Sequence, residues 1–187
     1  VIIVNITVYL RAPSGRDGKY MDITRELGHW IGSHGHDLIY GGSRVGLMGV
    51  LADAVLETGG KVIGVEPFFF VEDELQHDDI TELIITSDMP QRKAKMIEMG
   101  AAYIAIPGGT GTLEEISEVI SLTKLGMNSK PCIILNIDGY YDGLLAFLRK
   151  MEAERFIAPT LWSCFGVFPD PAPLLTYLEQ ANPEKIS

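Results

Sequence analysis

The apolar residues of this chain fall into short runs that alternate with longer amphipathic segments. The runs rich in β-branched residues have the length of strands. They are Ile2–Leu10, Asp37–Tyr40, Lys61–Val65, Glu82–Thr86, Ala102–Ile106, Cys132–Asn136 and Cys164–Phe168. The segments with helical periodicity are Tyr20–Ser33, Gly46–Thr58, Asp88–Met99, Thr112–Met127, Tyr140–Met151 and Asp170–Leu178. Apolar strands that alternate with helices predict a doubly wound α/β fold, with a parallel sheet covered on both faces.

The length and composition of the chain predict a single domain. It has 187 residues, of which 47% are apolar, and no linker divides it. We therefore expect one nucleotide-binding α/β domain over residues 1–187. The acidic stretch Glu72–Asp79 is typical of a surface loop or a short helix, and residues 181–187 form a polar tail.

The charge of the chain excludes some classes of partner. Its formal net charge is −10, whereas protein surfaces that bind nucleic acids or anionic membranes are basic. Val1–Leu10 lacks the basic start of a signal peptide, and no apolar stretch approaches the ~20 residues of a membrane span. We expect neither nucleic acid nor a membrane as partner.

Cysteine and histidine usage indicates neither a disulfide framework nor a metal site. Cys132 and Cys164 lie in apolar runs, which predicts buried free thiols and a cytoplasmic location. The His34-Gly35-His36 turn has no third ligand at metal spacing. We expect no metal and no cofactor.

Two glycine-rich loops each follow a predicted strand and lead into a helix. One is Gly41-Gly42-Ser43-Arg44-Val45-Gly46-Leu47-Met48-Gly49, and the other is Pro107-Gly108-Gly109-Thr110-Gly111-Thr112. Glycines allow a ligand to approach the backbone, and the free amides at a helix start favour phosphate. The first loop lacks the Lys-Ser/Thr of a P-loop, and the second lacks the third glycine of a dinucleotide fingerprint. Both loops could also be simple strand-to-helix turns.

Three charged residues near these loops each have two interpretations. Asp88 and Pro90 predict a helix start that places Arg92 and Lys93 in the first turn, where cations oppose the helix dipole. These cations indicate either a nearby anion or a solvated face. Glu115 fits a capping box with Thr112, or it orients a water or ribose hydroxyls for glycosidic cleavage.

The chain resembles the LOG ("Lonely Guy") family of cytokinin riboside 5′-monophosphate phosphoribohydrolases. The motifs that carry the resemblance are M-x-x-R-K, from Met89 to Lys93, and P-G-G-x-G-T-x-x-E, from Pro107 to Glu115. The loop from Gly41 to Gly49 also resembles the family's G-G-x-x-x-G-x-M-G segment. The resemblance implies a Rossmann-like fold, a homodimer with sites near the subunit interface, and hydrolysis of N6-modified AMP to free base and ribose 5-phosphate. Relatives also carry the label "lysine decarboxylase", but no lysine here is marked out for pyridoxal phosphate.

Carried over residue by residue, the resemblance implies that Arg92 and Glu115 are the catalytic pair. It implies that Glu74 lies toward the base. The full set of substrate-binding residues that we expect is Gly41, Gly42, Ser43, Gly46, Met48, Glu74, Arg92, Lys93, Gly108, Gly109, Thr110, Gly111, Thr112, Leu113, Glu114, Glu115 and Ser121.

One departure from the family bears on the substrate. Relatives have a Gly-Ser-rich turn after the first strand, whereas this chain has Leu10-Arg11-Ala12-Pro13. Arg11 either adds a phosphate contact or narrows the pocket. Some relatives with the P-G-G-x-G-T loop carry molybdenum cofactor, so a non-catalytic nucleotide or cofactor carrier is the alternative to the hydrolase.

Overall fold

The computed structural model describes residues 4–11, 18–71, 75–163 and 165–180. Its strands are β1 Asn5–Tyr9, β2 Asp37–Tyr40, β3 Lys61–Pro67, β4 Glu82–Thr86, β5 Ala102–Ala105, β6 Cys132–Leu135 and β7 Phe165–Phe168. Its α-helices are α1 Lys19–Ser33, α2 Leu47–Glu57, α3 Phe68–Val71, α4 Met89–Met99, α5 Thr110–Lys124, α6 Asp142–Ala153 and α7 Pro171–Gln180. Two 3₁₀ turns, Ile137–Gly139 and Pro159–Ser163, flank α6.

The strands form one parallel sheet in the order β4-β3-β2-β1-β5-β6-β7. The predicted α/β doubly wound parallel sheet is therefore confirmed. The strand order reverses at β1, which pairs with β2 on one side and β5 on the other. Open parallel sheets bind their ligands beyond the carboxyl ends of the strands at this reversal.

Each face of the sheet is covered by helices that bury an apolar stripe. On one face, α1, α2 and α7 place Leu27, Leu51 and Leu174 in a common cluster. On the other face, α4, α5 and α6 contribute the cluster that contains Met96, Val119 and Leu148. Because both faces are buried, the strands carry apolar residues almost continuously, as the sequence pattern requires.

Most predicted boundaries agree closely with the structure. The strands Asp37–Tyr40 and Glu82–Thr86 match it at both ends. Among the helices that follow the glycine-rich loops, the start of α5 differs most from its prediction. The helix begins at Thr110, whereas the sequence pattern placed its start at Thr112. Cys132 is buried, as predicted, whereas Cys164 and the tail 181–187 lie outside the described residues.

The contact between α1 and α2 depends on Gly28. A Cβ at this position would lie 2.7 Å from Ala54 Cβ and 2.8 Å from the Leu51 carbonyl oxygen. We expect Gly28→Val to lower the free energy of unfolding by about 1–3 kcal/mol, because the larger side chain forces the helices apart. Urea denaturation measures the change.

Gly143 provides a matched control on α6, because a Cβ at this position would meet no described atom within 4 Å. Gly143→Ala should leave stability unchanged or raise it by up to about 1 kcal/mol through helix propensity. A Gly28→Val protein as stable as the parent would show that α1 and α2 are not closely packed.

Candidate functional site

The second glycine-rich loop presents the open amino end of α5 at the reversal of strand order. Gly109 is the N-cap residue of α5, and none of the described side chains caps the helix. The capping box that the sequence suggested between Thr112 and Glu115 is therefore not formed. Thr112 is 2% exposed, and its hydroxyl has no hydrogen-bond partner among the described residues. The first amides of α5 and this hydroxyl together form a place that an anion could occupy.

Arg92 and Glu115 form a buried ion pair beside this helix start. Arg92 Nη1 lies 2.6 Å from Glu115 Oε1, and each side chain is 8% exposed. Arg92 Nε also donates to the Val65 carbonyl oxygen at 2.9 Å, which fixes the guanidinium over the end of β3. Glu115 thus turns toward α4 instead of capping its own helix. The structure brings the expected catalytic pair into direct contact.

The helix that carries Arg92 begins as the sequence predicts. The Asp88 side chain accepts a hydrogen bond from the Gln91 amide at 2.8 Å, so Asp88 is the N-cap residue, and Pro90 follows in the first turn. This start directs Arg92 toward the sheet.

Gly41 allows the Arg92 guanidinium to cross the end of β2. A Cβ on Gly41 would lie 2.6 Å from Arg92 Nη2 and 3.1 Å from Met48 Cε. Any larger residue would have to displace the arginine or the methionine. The glycine expected at the substrate site therefore has a specific role in placing Arg92, and Met48 lies against the same position.

Burial sets the ionisation of the carboxyl in this pair. Burial raises the pKa of Glu115 above its ordinary value, and the charge and hydrogen bond of Arg92 offset part of that rise. The neighbouring Tyr9 hydroxyl is buried without a described partner. Its pKa is also raised, first by burial and then by the charge of Glu115. The site is therefore a low-dielectric pocket in which charges interact strongly.

Glu66, at the end of β3, is a buried acid that sequence analysis missed. It is 2% exposed, and its Oε2 atom has no partner among the described residues. Burial raises the pKa of this carboxyl, and the charge of Arg92 opposes the rise. The nearby Tyr40 hydroxyl is likewise buried without a described partner. A glutamate inside an otherwise apolar strand was the available signal.

Lys93 is held by two carboxylates of α5. Its Nζ lies 2.7 Å from Glu114 Oε1 and 3.0 Å from Glu118 Oε2, and its side chain is 16% exposed. The hydrogen bond to Glu114 is the largest of the effects that raise the pKa of Lys93. The anion that the cations of α4 indicated is thus supplied by the protein itself. Contact of Lys93 and Glu114 with substrate stays a prediction.

The first glycine-rich loop pairs with residues 75–77 of the acidic stretch. Arg44 N donates to Leu75 O at 3.0 Å, His77 N donates to Gly42 O at 2.9 Å, and Ser43 forms an isolated antiparallel bridge with Gln76. Residues 75–77 are therefore anchored over the first glycine-rich loop.

Side chains complete the first glycine-rich loop and its anchor. Ser43 Oγ accepts from Val45 N at 3.1 Å, and Gly46 is the N-cap residue of α2. His77 Nε2 lies 2.9 Å from Asp53 Oδ1 of α2. Glu74, expected toward the base, lies outside the described residues.

Two tyrosines that sequence analysis also missed hold the second glycine-rich loop. Tyr140 OH donates to the Gly108 carbonyl oxygen at 2.5 Å, and Tyr141 OH donates to the Ile106 carbonyl oxygen at 2.7 Å. Because a peptide's C=O and N–H point in opposite directions, fixing the Gly108 carbonyl also fixes the Gly109 amide. These tyrosines preorganise the helix start, and a Tyr-Tyr pair after β6 was the only sequence signal.

The remaining expected residues divide between two surfaces. Thr110 and Gly111 lie in the first turn of α5, beside Gly109. Leu113 and Ser121 instead line a 400 Å³ groove between α5 and α6, which we call the α5–α6 groove. Within one protomer, the structure therefore does not bring Ser121 to the helix start.

None of the described helices is long and apolar enough to span a membrane.

Comparison with known proteins shows which family the chain is related to. The family model described as "Possible lysine decarboxylase" matches residues 48–178. The cytokinin riboside 5′-monophosphate phosphoribohydrolase of Rhodococcoides fascians is 46% identical over 156 residues, which are 83% of this chain and 79% of that protein. The enzyme of that name from Arabidopsis thaliana, LOG3, is 40% identical over 178 residues, or 95% of this chain and 83% of that protein. The chain belongs to the LOG family.

Solved structures share the fold of this LOG-family chain. The Moco carrier protein of Chlamydomonas reinhardtii has a TM-score of 0.72 at 21% identity, over 96% of this chain and 97% of that chain. The molybdenum cofactor binding protein of Rippkaea orientalis has a TM-score of 0.73 at 20% identity, over 95% of this chain and 96% of that chain. At this level of identity the likeness shows the Rossmann-like fold alone.

The buried carboxyl of Glu66 makes a prediction about stability and pH. Because its pKa is raised, the folded protein binds this proton more tightly than the unfolded chain. The stability that this proton supplies is fully present at pH values below the ordinary pKa of glutamate. It is lost as the pH rises through the raised pKa of the folded protein. Glu66→Gln cannot ionise, so the variant should become more stable relative to the parent as pH rises above the ordinary glutamate range.

Thermal melts at several pH values measure this difference. Glu26→Gln, at an exposed position of α1, is the matched control and should follow the parent at every pH. Parallel melting curves for Glu66→Gln and the parent would mean that Glu66 is ionised and stabilised in the folded protein.

Proposed function

We propose that this chain hydrolyses the N-glycosidic bond of nucleoside 5′-monophosphates, giving free base and ribose 5-phosphate. The substrates that we expect are N6-modified adenosine 5′-monophosphates such as cytokinin riboside 5′-monophosphates, the compounds in the names of its relatives. The observation that carries the proposal is the buried Arg92–Glu115 pair beside the open start of α5.

The phosphate end of the substrate fits the second glycine-rich loop. The uncapped α5 offers backbone amides and the positive end of a helix dipole, and both favour a phosphate dianion. The unpartnered Thr112 hydroxyl can donate to a phosphate oxygen. A net charge of −10 does not prevent such binding, because the donors are local and act at short range.

The chemical step takes place next to this phosphate site. Water adds its oxygen to C1′, and the bond from C1′ to the base nitrogen breaks with its electron pair going to the base. Arg92 donates a hydrogen bond to Oε1 of Glu115, whereas Oε2 of Glu115 forms no hydrogen bond to a described residue. We assign to Oε2 the contact with the attacking water or the ribose hydroxyls, and the water's proton passes to the carboxylate or the leaving base.

Arg92 supports this step electrostatically. An oxocarbenium-like transition state carries positive charge on the sugar, which the Glu115 carboxylate stabilises. The charge and hydrogen bond of the guanidinium oppose the rise in the pKa of that carboxyl that burial causes. We assign to the same guanidinium the stabilisation of the negative charge that develops on the departing base. One fixed pair therefore serves both ends of the breaking bond.

The label "possible lysine decarboxylase" fits the site less well. A lysine that forms a Schiff base works through its neutral amine, usually with a lowered pKa. Lys93, the lysine next to Arg92, has a raised pKa because it is hydrogen-bonded to Glu114 and Glu118. We therefore derive no step that uses pyridoxal phosphate.

The catalytic assignment makes a direct prediction. Glu115→Gln and Arg92→Lys should each lower the release of base from AMP and from N6-isopentenyl-AMP by about 100-fold or more. Chromatography of the free base measures the rate. Lys95→Gln provides the matched control, because Lys95 forms an exposed i,i+3 pair with Glu98 on the same helix as Arg92 and should leave the rate unchanged.

Breaking a buried ion pair also destabilises proteins by about 3–5 kcal/mol. The melting temperature of each variant should therefore be measured first, and the variant assayed below that temperature. Folded variants that release base at the parental rate would remove Arg92 and Glu115 from the mechanism. An intact parent that retains a nucleotide or pterin-type cofactor, identified by mass spectrometry, without any turnover would favour the carrier function.

We also propose that the chain acts as a homodimer in the cytoplasm, with the α5–α6 groove as the contact between subunits. Ser121 lies in this groove, about 16 Å along α5 from Thr110 at the helical rise. Helix pairs that pack antiparallel across the groove would bring the Ser121 of one protomer near the helix start of its partner. This arrangement reconciles the position of Ser121 with its expected contact to substrate.

The dimer proposal predicts that a charge in the groove separates the subunits. Phe147 lines the groove and is 57% exposed in the protomer. Phe147→Asp should give a monomer in light scattering and lower the rate of base release together with dimer content. The control is Ile85→Asp, at an exposed apolar position on the edge strand β4. A dimeric Phe147→Asp protein, or a fully active monomer, would contradict the proposal.

A further inference from the structure

Arg11 is a charged residue beside the second glycine-rich loop, and no described residue supplies a partner for its side chain. It follows β1 at the reversal of strand order and is exposed. Its Nη1 atom lies 2.7 Å from the position that a Cβ on Gly109 would take, and its Cδ lies 3.1 Å from it. The side chain is thus packed against the N-cap residue of α5. No described residue forms an ion pair or hydrogen bond with its guanidinium.

The guanidinium borders a cavity that is open at the same loop. The cavity has a volume of 230 Å³, and its lining includes Arg11, Gly108, Gly109, Tyr20 and Tyr140. One wall of the cavity is the backbone at Gly108 and Gly109, which Tyr140 fixes through its hydrogen bond to the Gly108 carbonyl oxygen. The cavity is therefore bounded by a rigid loop on one side and by a cation on the other.

Two independent features at this place indicate an anionic ligand. One is the Thr112 hydroxyl, which is buried, adjoins Gly108 and has no described partner. The other is a free guanidinium next to an uncapped helix start, a combination of two positive groups that repel each other unless an anion lies between them. Glycine at position 109 is what permits the arginine to approach so closely.

We propose that Arg11 determines the specificity of this site by holding the phosphate of the ligand from the β1 side, opposite the amides of α5. The proposal rests on the proposed function in taking that phosphate to be the 5′-phosphate of a ribose. Arg11 and α5 together then select ligands that end in a phosphate dianion, whatever base they carry. Ribose 5-phosphate is accordingly a ligand in its own right, independent of the base and of the Arg92–Glu115 pair.

If Arg11 instead only narrows the pocket, removing its side chain should leave the affinity for ribose 5-phosphate unchanged or raise it. One binding experiment separates the two roles. Calorimetry compares the binding of ribose 5-phosphate to the parent, Arg11→Gln, Arg11→Lys and Arg11→Gly. If Arg11 holds phosphate, Arg11→Gln and Arg11→Gly should bind about 10- to 100-fold more weakly, because a charge-assisted hydrogen bond is lost. Arg11→Lys should be intermediate, because it keeps the charge but loses the planar fork.

The control variant is Arg25→Gln, which removes an exposed arginine of α1 that pairs with Asp22. It should bind ribose 5-phosphate like the parent, and a thermal melt confirms that each variant is folded. Affinity of the parent should also fall more steeply with added salt than that of Arg11→Gln.

The outcomes separate this proposal from the hydrolase. Arg11-dependent binding of ribose 5-phosphate without any base release supports the role of Arg11 and defeats the proposed reaction. Base release with equal or tighter binding in Arg11→Gly means that Arg11 only narrows the pocket, and the proposal for Arg11 is wrong. A parent that does not bind ribose 5-phosphate at millimolar concentration also overturns it.

Discussion

The arrangement of the site depends on the buried ion pair between Arg92 and Glu115. Two charges that are removed from water are costly unless they are paired and hydrogen-bonded. That requirement fixes α4 against α5, draws Arg92 onto the carbonyl at the end of β3, and makes Gly41 necessary where the guanidinium crosses β2. Four elements are therefore positioned by one interaction, and the free carboxylate oxygen of Glu115 is held in place before any ligand arrives.

The distribution of charge explains how an acidic protein can attract an anion. Most cations near the loops are already neutralised: Lys93 is bound by Glu114 and Glu118, and Arg92 by Glu115. At the second glycine-rich loop, what is left is the open end of α5 and the guanidinium of Arg11. Because interactions between charges in water are screened within about 10 Å, these local groups outweigh the net charge of −10.

The sequence predicted the sheet and the loops well, because alternation of apolar strands with helices is a local pattern. It predicted the contacts between elements poorly. The pattern from Thr112 to Glu115 fits a capping box, but Glu115 finds a stronger partner in Arg92, 23 positions away in the chain. From the residues alone, Arg92 was compatible with a solvated face. Only the family resemblance joined the two residues, and neither approach predicted that Glu66 or the tyrosines after β6 support the site.

Glu66 shows why a third buried charge does not disturb this balance. It lies near Arg92, yet the guanidinium binds Glu115 and the Val65 carbonyl, and Glu66 Oε2 remains without a described partner. A carboxyl that is buried without compensation favours its neutral form, and the raised pKa of Glu66 expresses that preference. In the neutral form it leaves Arg92 to Glu115 alone. A phosphate bound at α5 then meets the positive end of the helix and the guanidinium of Arg11.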